Sequence, residues 1–146
     1  MKIRIFLLSV LCVSVLNAGS YYIIKSSKNS VDKTIDKIEK IAKEKGLSVF
    51  GVFDHKANAK KAGMNMMDGK VITIGSAKMG TRIMRRDPKA GIELPVRIYV
   101  YKDYDDHTKI EYLNPKEFEK RFDLMGCGVI PKMDKVLNEI TDKASK

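Results

Sequence analysis

Val96-Arg97-Ile98-Tyr99-Val100-Tyr101 alternates strictly between aliphatic and polar or aromatic residues, and after a short polar stretch Thr108-Lys109-Ile110-Glu111-Tyr112-Leu113 follows. A period of two places Val96, Ile98 and Val100 on one face and Arg97, Tyr99 and Tyr101 on the other, the signature of a strand covered on one side. Asp103-Tyr104-Asp105-Asp106 between the runs is a polar turn, so the two strands are expected to form an antiparallel hairpin. Working outward, Leu47 to Phe53 is apolar at nearly every position, which predicts a strand covered on both faces. Val71 to Ile74, ending at Gly75, reads as another buried strand, and Tyr21 to Ile24 as a short one.

Helical periods separate these strands. Ser30 is placed as an N-cap before Val31, Ile35, Ile38 and Ile41, with Asp36–Lys40 and Glu39–Lys43 pairs on the wet face and Gly46 as the αL stop. Asp54 caps a short helix from His55 to Ala62, closed by Gly63. Thr81 to Arg86 makes a helical turn or two, punctuated by Pro88 and Gly91. Asn114-Pro115 starts a helix through Phe122. Met133, Val136, Leu137 and Ile140 form the stripe of a C-terminal helix over about 131–143. The expectation is a single α+β domain over 19–146.

The chain has 146 residues with 28 Lys+Arg against 18 Asp+Glu, a net charge of +10. No Trp, four Pro and ten Gly exclude collagen-like and Pro/Gly-rich disordered classes. Met1 to Arg4 is a basic lead, Ile5 to Leu16 an uncharged apolar run, and Ala18 a small residue at a cleavage position. That layout predicts a signal peptide over 1–18 and a periplasmic destination. The run is shorter than the ~20 apolar residues that cross a bilayer, so no transmembrane span is expected after cleavage. Cys12 lies inside the run behind Leu11, which argues against lipidation. Cleavage leaves Cys127 alone, so no intramolecular disulfide forms. Its thiol can be buried and inert, pair between chains, or bind a soft metal.

Asp54-His55, Ala59 and Gly63 follow an apolar strand as D-H-x-x-x-A-x-x-x-G. Gly75, Gly80-Thr81, Met84, Asp87-Pro88, Gly91, Leu94-Pro95, the Arg97–Tyr101 strand and Tyr112-x-Asn114-Pro115 then come in order. This ordered set, over about 21–122, resembles the bacterial family catalogued as domain of unknown function 302. The resemblance implies an α+β fold with a curved, mainly antiparallel sheet and helices packed on one face, similar to the TATA-binding-protein-like architecture. It also implies a homodimer, and it brings no activity. This chain departs from the family in one loop, with Ser76-Ala77 where Asn-Pro is usual and Arg82 where Pro is usual.

Few residues carry recognisable chemistry. His55 is a candidate metal ligand or base, but adjacent strand residues project oppositely, so Asp54 is better explained as a cap than as its orienter. His107 falls in the hairpin turn and is expected to be solvated. With two His, no His-x-x-x-His and no Cys-x-x-Cys, a zinc site is not expected. Gly75-Ser76-Ala77-Lys78-Met79-Gly80-Thr81 follows a strand, yet lacks the lysine that a phosphate loop places before its hydroxyl residue. Nucleotide hydrolysis is excluded on that ground. What remains is an anion-accepting pocket shaped by Gly75, Gly80 and Thr81, with Lys78, Arg82 and Arg85 adding charge and His55 at the rim. The bland reading of Lys78, Arg82, Arg85, Arg86 and Lys89 is a solvated basic face.

Met64, Met66 and Met67, with Cys127, are candidates for a soft metal such as copper, or for haem handling. The competing reading is that these methionines fill the core. The Arg97, Tyr99, Tyr101 face is expected to be covered by a helix or by a second copy. The basic residues are spread along the chain, so nucleic acid is not expected as a partner. The reading carried forward is a non-catalytic periplasmic module binding a small ligand, an anionic molecule or an acidic protein. A metal or haem handler and an enzyme of unassigned class stand as alternatives, and no cofactor is assigned.

Overall fold

The structure is a computed structural model that describes residues 21–146; the expected signal peptide and Cys12 lie outside the described residues. Five strands form one sheet: β1 (Tyr22–Ser27), β2 (Ser48–Asp54), β3 (Gly69–Gly75), β4 (Val96–Lys102) and β5 (Thr108–Leu113). Their order is β1-β5-β4-β3-β2, and every neighbouring pair is antiparallel. The β4–β5 hairpin sits at the centre, with Ile98 opposite Tyr112 and Val100 opposite Ile110. Asp106 turns the chain in the left-handed region, at φ 62°, a conformation that Asp tolerates better than most residues.

The alternation decides the layers. Ile72, Ile74, Ile98, Val100, Ile110 and Tyr112 are at most 1% exposed and lie on the face covered by α1 (Val31–Glu44) and α5 (Ile130–Ala144). Ile35, Ile38 and Ala42 of α1 and Met133, Leu137 and Ile140 of α5 close that core. The fold is therefore α+β, a five-stranded antiparallel sheet with its helical layer on one face. Capping follows the sequence: the Ser30 hydroxyl accepts from the Lys33 N–H and the Asn114 side chain from the Lys116 N–H. Gly46 adopts φ 72° at the end of α1, where a Cβ is penalised. Of the two expected pairs on α1, Glu39–Lys43 forms at 2.5 Å.

Three expectations are corrected. First, β2 is an edge strand rather than one covered on both faces, and Phe50, Val52 and Phe53 are 61%, 39% and 56% exposed. Second, the helix expected at Thr81 begins a turn earlier: α3 is Ala77–Arg86, because the Ser76 hydroxyl accepts from the Met79 N–H. Third, Met64, Met66 and Met67 do not fill the core. They are exposed in the loop between β3 and α2 (His55–Lys61). The remaining elements are α4 (Pro115–Arg121) and a 3-10 turn at Pro88–Glu93 that packs on α3.

Candidate functional site

The structure separates the residues expected to share one pocket. Gly75, Gly80 and Thr81 line a cavity of about 340 Å³ between the end of β3, α3 and α5. Leu47, Phe50, Met84, Leu94, Val136 and Leu137 supply much of its wall, and no charged side chain lines it. The only side-chain oxygens are those of Ser76 and Thr81, and Ser76 is already engaged as the cap of α3.

This corrects the anion-accepting pocket in physical terms. Thr81 and Gly80 lie inside α3, not at its start, and the Gly80 N–H is bonded to the Ser76 carbonyl at 2.8 Å. Arg82 and Arg85 are exposed and do not line the cavity. They and Lys78 project from the side of α3 away from Met79 and Ile83, as a helical period of 3.6 requires. The cavity is apolar.

His55 lies elsewhere. Asp54 caps α2, accepting from the Ala57 N–H at 2.8 Å, and this bond and Lys70 at 2.9 Å hold its carboxyl below the ordinary value. His55, the first residue of α2, then meets the Tyr99 ring edge-on, with centroids 5.9 Å apart. It lines a second cavity of about 550 Å³ with Tyr22, Val71, Arg97, Tyr99 and Glu111. The same cavity reaches Tyr112, Phe118, Met133 and Leu137 on the helical side, and it shares Val96, Met133 and Leu137 with the first. Tyr22, Val71, Arg97, Tyr99 and Glu111 belong to the sheet face opposite the helical layer. Among the described residues no helix covers this face beyond the lean of α2 at one end, so the covered alternative for Arg97, Tyr99 and Tyr101 does not hold there.

The uncovered face is ordered by its own contacts. Tyr99 and Tyr101 stack with centroids 4.6 Å apart and planes 16° from parallel. The Tyr101 hydroxyl donates to Glu111 at 3.0 Å. Burial, with that hydrogen bond and the Glu111 charge, pushes the Tyr101 phenol up to about 12, and burial followed by Glu111 raises Tyr99 as well. Gly69 makes the posture of Tyr99 possible, since a Cβ there would stand 2.7 Å from the Tyr99 Oη. Glu93 accepts from Arg97 at 3.0 Å and from Arg121 at 2.6 Å, and Arg121 also donates to the Tyr21 hydroxyl at 2.8 Å.

The metal candidates do not converge with either cavity. Cys127 is half-buried against the core as a free thiol. Asp103, Asp105 and His107 do cluster, with ligand atoms within 4.8 Å of one another, a grouping that sequence reasoning missed. Its geometry is that of the hairpin turn: Asp103 Oδ1 accepts from the Asp105 and His107 N–H groups at 3.1 and 2.8 Å. The apolar cavity was missed as well. The signal for it was present, since a helix started from Ser76 aligns Met79 with Ile83.

The model of the family described as domain of unknown function DUF302 matches residues 22–140. The chain belongs to that family. A crystal structure of an uncharacterized conserved DUF302 protein from Bacillus stearothermophilus matches this fold with a TM-score of 0.73. The match covers 85% of this chain and 98% of that one, at 17% identity. Among curated proteins, this DUF302 chain is 29% identical over 111 residues to fluoride-specific ion channel FluC 1 of Brucella suis, covering 76% of this chain and 43% of that protein. The same identity and length hold for FluC 1 of Brucella abortus, with 40% of that protein covered. The DUF302 chain thus spans less than half the length of these relatives. No helix of the described residues is long and apolar enough to cross a membrane.

Proposed function

We propose that this DUF302 chain is a non-catalytic binding module that takes a small apolar ligand in the cavity between β3, α3 and α5. The observation that carries the reading is the cavity itself. At about 340 Å³ with aliphatic, methionine and phenylalanine walls, it falls within the roughly 300–1,000 Å³ typical of small-molecule pockets. It holds no titratable side chain, so acid–base chemistry has no group to act through there.

The test is binding of N-phenyl-1-naphthylamine, a neutral probe that brightens in apolar surroundings. Gly80→Leu fills the cavity from within α3, where leucine is a good helix former. The expected result is saturable brightening with the natural chain and its loss in Gly80→Leu, with circular dichroism unchanged. Equal brightening in both refutes the reading.

The same proposal places the module in the periplasm, on the basic–apolar–small layout of residues 1–18. Intact-mass measurement of periplasmic protein is expected to show a chain starting at Gly19. A chain retaining Met1 refutes this part alone. Homodimerisation remains part of the proposal, supported by the uncovered sheet face and exposed β2 edge, and analytical ultracentrifugation decides it.

A further inference from the structure

The second cavity shares Val96, Met133 and Leu137 with the first, but the part of it that opens on the uncovered sheet face is unused by the proposed function, and its chemistry is different. Tyr22, His55 and Tyr99 line it with aromatic rings, and Glu111 brings a carboxylate from β5 into the same space. Cross-strand pairing fixes this arrangement: Glu111 stands opposite Tyr99 on one side and Ile24 on the other, so its neighbours across the ladder are a ring and an aliphatic side chain.

The state of the charges on this face singles out Glu111. Glu93, the other carboxylate of the cavity, is taken by Arg97 and Arg121. Lys109, two residues from Glu111 on the same face, is held by Ser26 at 3.0 Å and Asp103 at 3.5 Å. Among the described residues no Lys, Arg or His stands within ion-pair distance of Glu111, whose hydrogen bond comes from the neutral Tyr101 hydroxyl. In a chain of net charge +10, Glu111 is a half-buried carboxylate without a cation, walled by tyrosines.

We propose that this groove binds an organic cation, an amine or quaternary ammonium on a small apolar body. Glu111 supplies the opposite charge, and Tyr99 and Tyr22 supply rings whose quadrupoles attract a cation within about 6 Å. Tyr101 lies outside the cavity lining and acts as a positioning residue: its hydroxyl fixes the Glu111 carboxylate, and its ring backs Tyr99. The cation replaces no existing ion pair. The net positive charge of the chain opposes the approach of any cation, but at about 0.15 M salt that field is screened beyond roughly 8 Å.

Isothermal titration of the full chain at that ionic strength uses choline and its neutral isostere, 3,3-dimethyl-1-butanol. Choline is expected to bind at least tenfold more tightly than the isostere. Glu111→Gln is expected to weaken choline at least tenfold and leave the isostere unchanged. Tyr99→Leu weakens choline severalfold while keeping the carboxylate, which guards against misreading a folding defect in one variant. Gly80 lines only the first cavity and Glu111 only the second, so Gly80→Leu leaves choline binding intact and the two proposals fail separately. The inference is overturned by equal affinity for choline and isostere, by full binding in Glu111→Gln, by loss of binding in Gly80→Leu, or by no choline binding at all.

Discussion

Replacing Gly80 with alanine is expected to stabilise this protein. Gly80 sits in the interior of α3, and its neighbours on both sides are helical. A Cβ added there meets Leu94 Cδ1 at 3.7 Å, an ordinary van der Waals distance, and nothing closer. Alanine in a helix interior is favoured over glycine by about 0.8–1.0 kcal/mol. The added methyl faces the apolar cavity and is half-buried, which contributes up to ~0.8 kcal/mol more if fully removed from water. The combined gain is about 1–2 kcal/mol. For a domain of this size, each kcal/mol raises Tm by roughly 4 °C. Urea titration is the assay, since a rise in midpoint with unchanged slope reports stability alone. A fall in midpoint refutes the reasoning, and shows that the missing Cβ serves the native backbone rather than the space beside it. The variant also reads out the cavity: a glycine retained at a cost in stability, beside a pocket, is the pattern expected where binding needs the room.

The reverse sign is expected at Gly69→Ala. The Tyr99 Oη stands 2.7 Å from the new Cβ, so the ring must shift against its stack with Tyr101, at about 1–3 kcal/mol by denaturation, from the off-rotamer and aromatic-pair terms together. Ile98→Ala, at 0% exposure in the central strand, should cost about 2–5 kcal/mol on urea unfolding, and a loss below 1 kcal/mol would place the core elsewhere. Ultraviolet titration of the six tyrosines should find late-ionising phenols, with Tyr99 and Tyr112 above the ordinary value and Tyr101 at about 12, and Tyr101 moving down in Glu111→Gln. Because that pKa is raised on folding, its contribution is full below the ordinary tyrosine value and is lost as pH climbs toward 12. Asp54 has the opposite sign: its lowered pKa gives a contribution present above the unfolded value and lost as pH falls. Asp54→Asn, which keeps a capping oxygen, should flatten the acid limb of the stability curve.

The hairpin was legible because strict alternation admits one period, and the register in turn fixed which residues of β4 and β5 reach the core. The caps at Ser30, Asp54 and Asn114 were legible because each is a local event, a side-chain oxygen beside the N–H groups it satisfies. What failed was non-local. Val49 to Phe53 reads identically in a central and an edge strand, and only the β1-β5-β4-β3-β2 order puts β2 outside. The Met64–Met67 loop reads as core filler until the fold leaves it on the surface. Gly75 and Gly80 drew attention as a ligand loop, while Ser76 between them was the cap that turns Gly80 into a helix-interior residue. The site residues divided for the same reason. Sequence placed His55 and Gly75 at the ends of neighbouring strands, but Gly75 lines the first cavity and His55 the second, a distinction made by packing.

The two faces of β4 are the two sides of one period. Val96, Ile98 and Val100 give β4 an aliphatic face toward the helical layer, while Arg97, Tyr99 and Tyr101 give it an amphipathic face toward the open side. An antiparallel sheet needs a helical layer on one face only, and this chain spends α1 and α5 on the first. The other is then free to be polar, yet Tyr22, Ile24 and Phe53 are left 45%, 56% and 56% exposed around the Tyr99–Tyr101 stack. Solubility alone would select polar side chains at these positions, since stability no longer asks for aromatic ones. Nor does the face consist of hydrophobic residues only: Arg97, Lys109 and Glu111 are interleaved among them, and two of these three charges are already neutralised. Aromatic surface with one remaining carboxylate suits a partner that is itself part apolar and part cationic. A wholly apolar partner would bury Glu111 without compensation, at the cost that attends any desolvated charge.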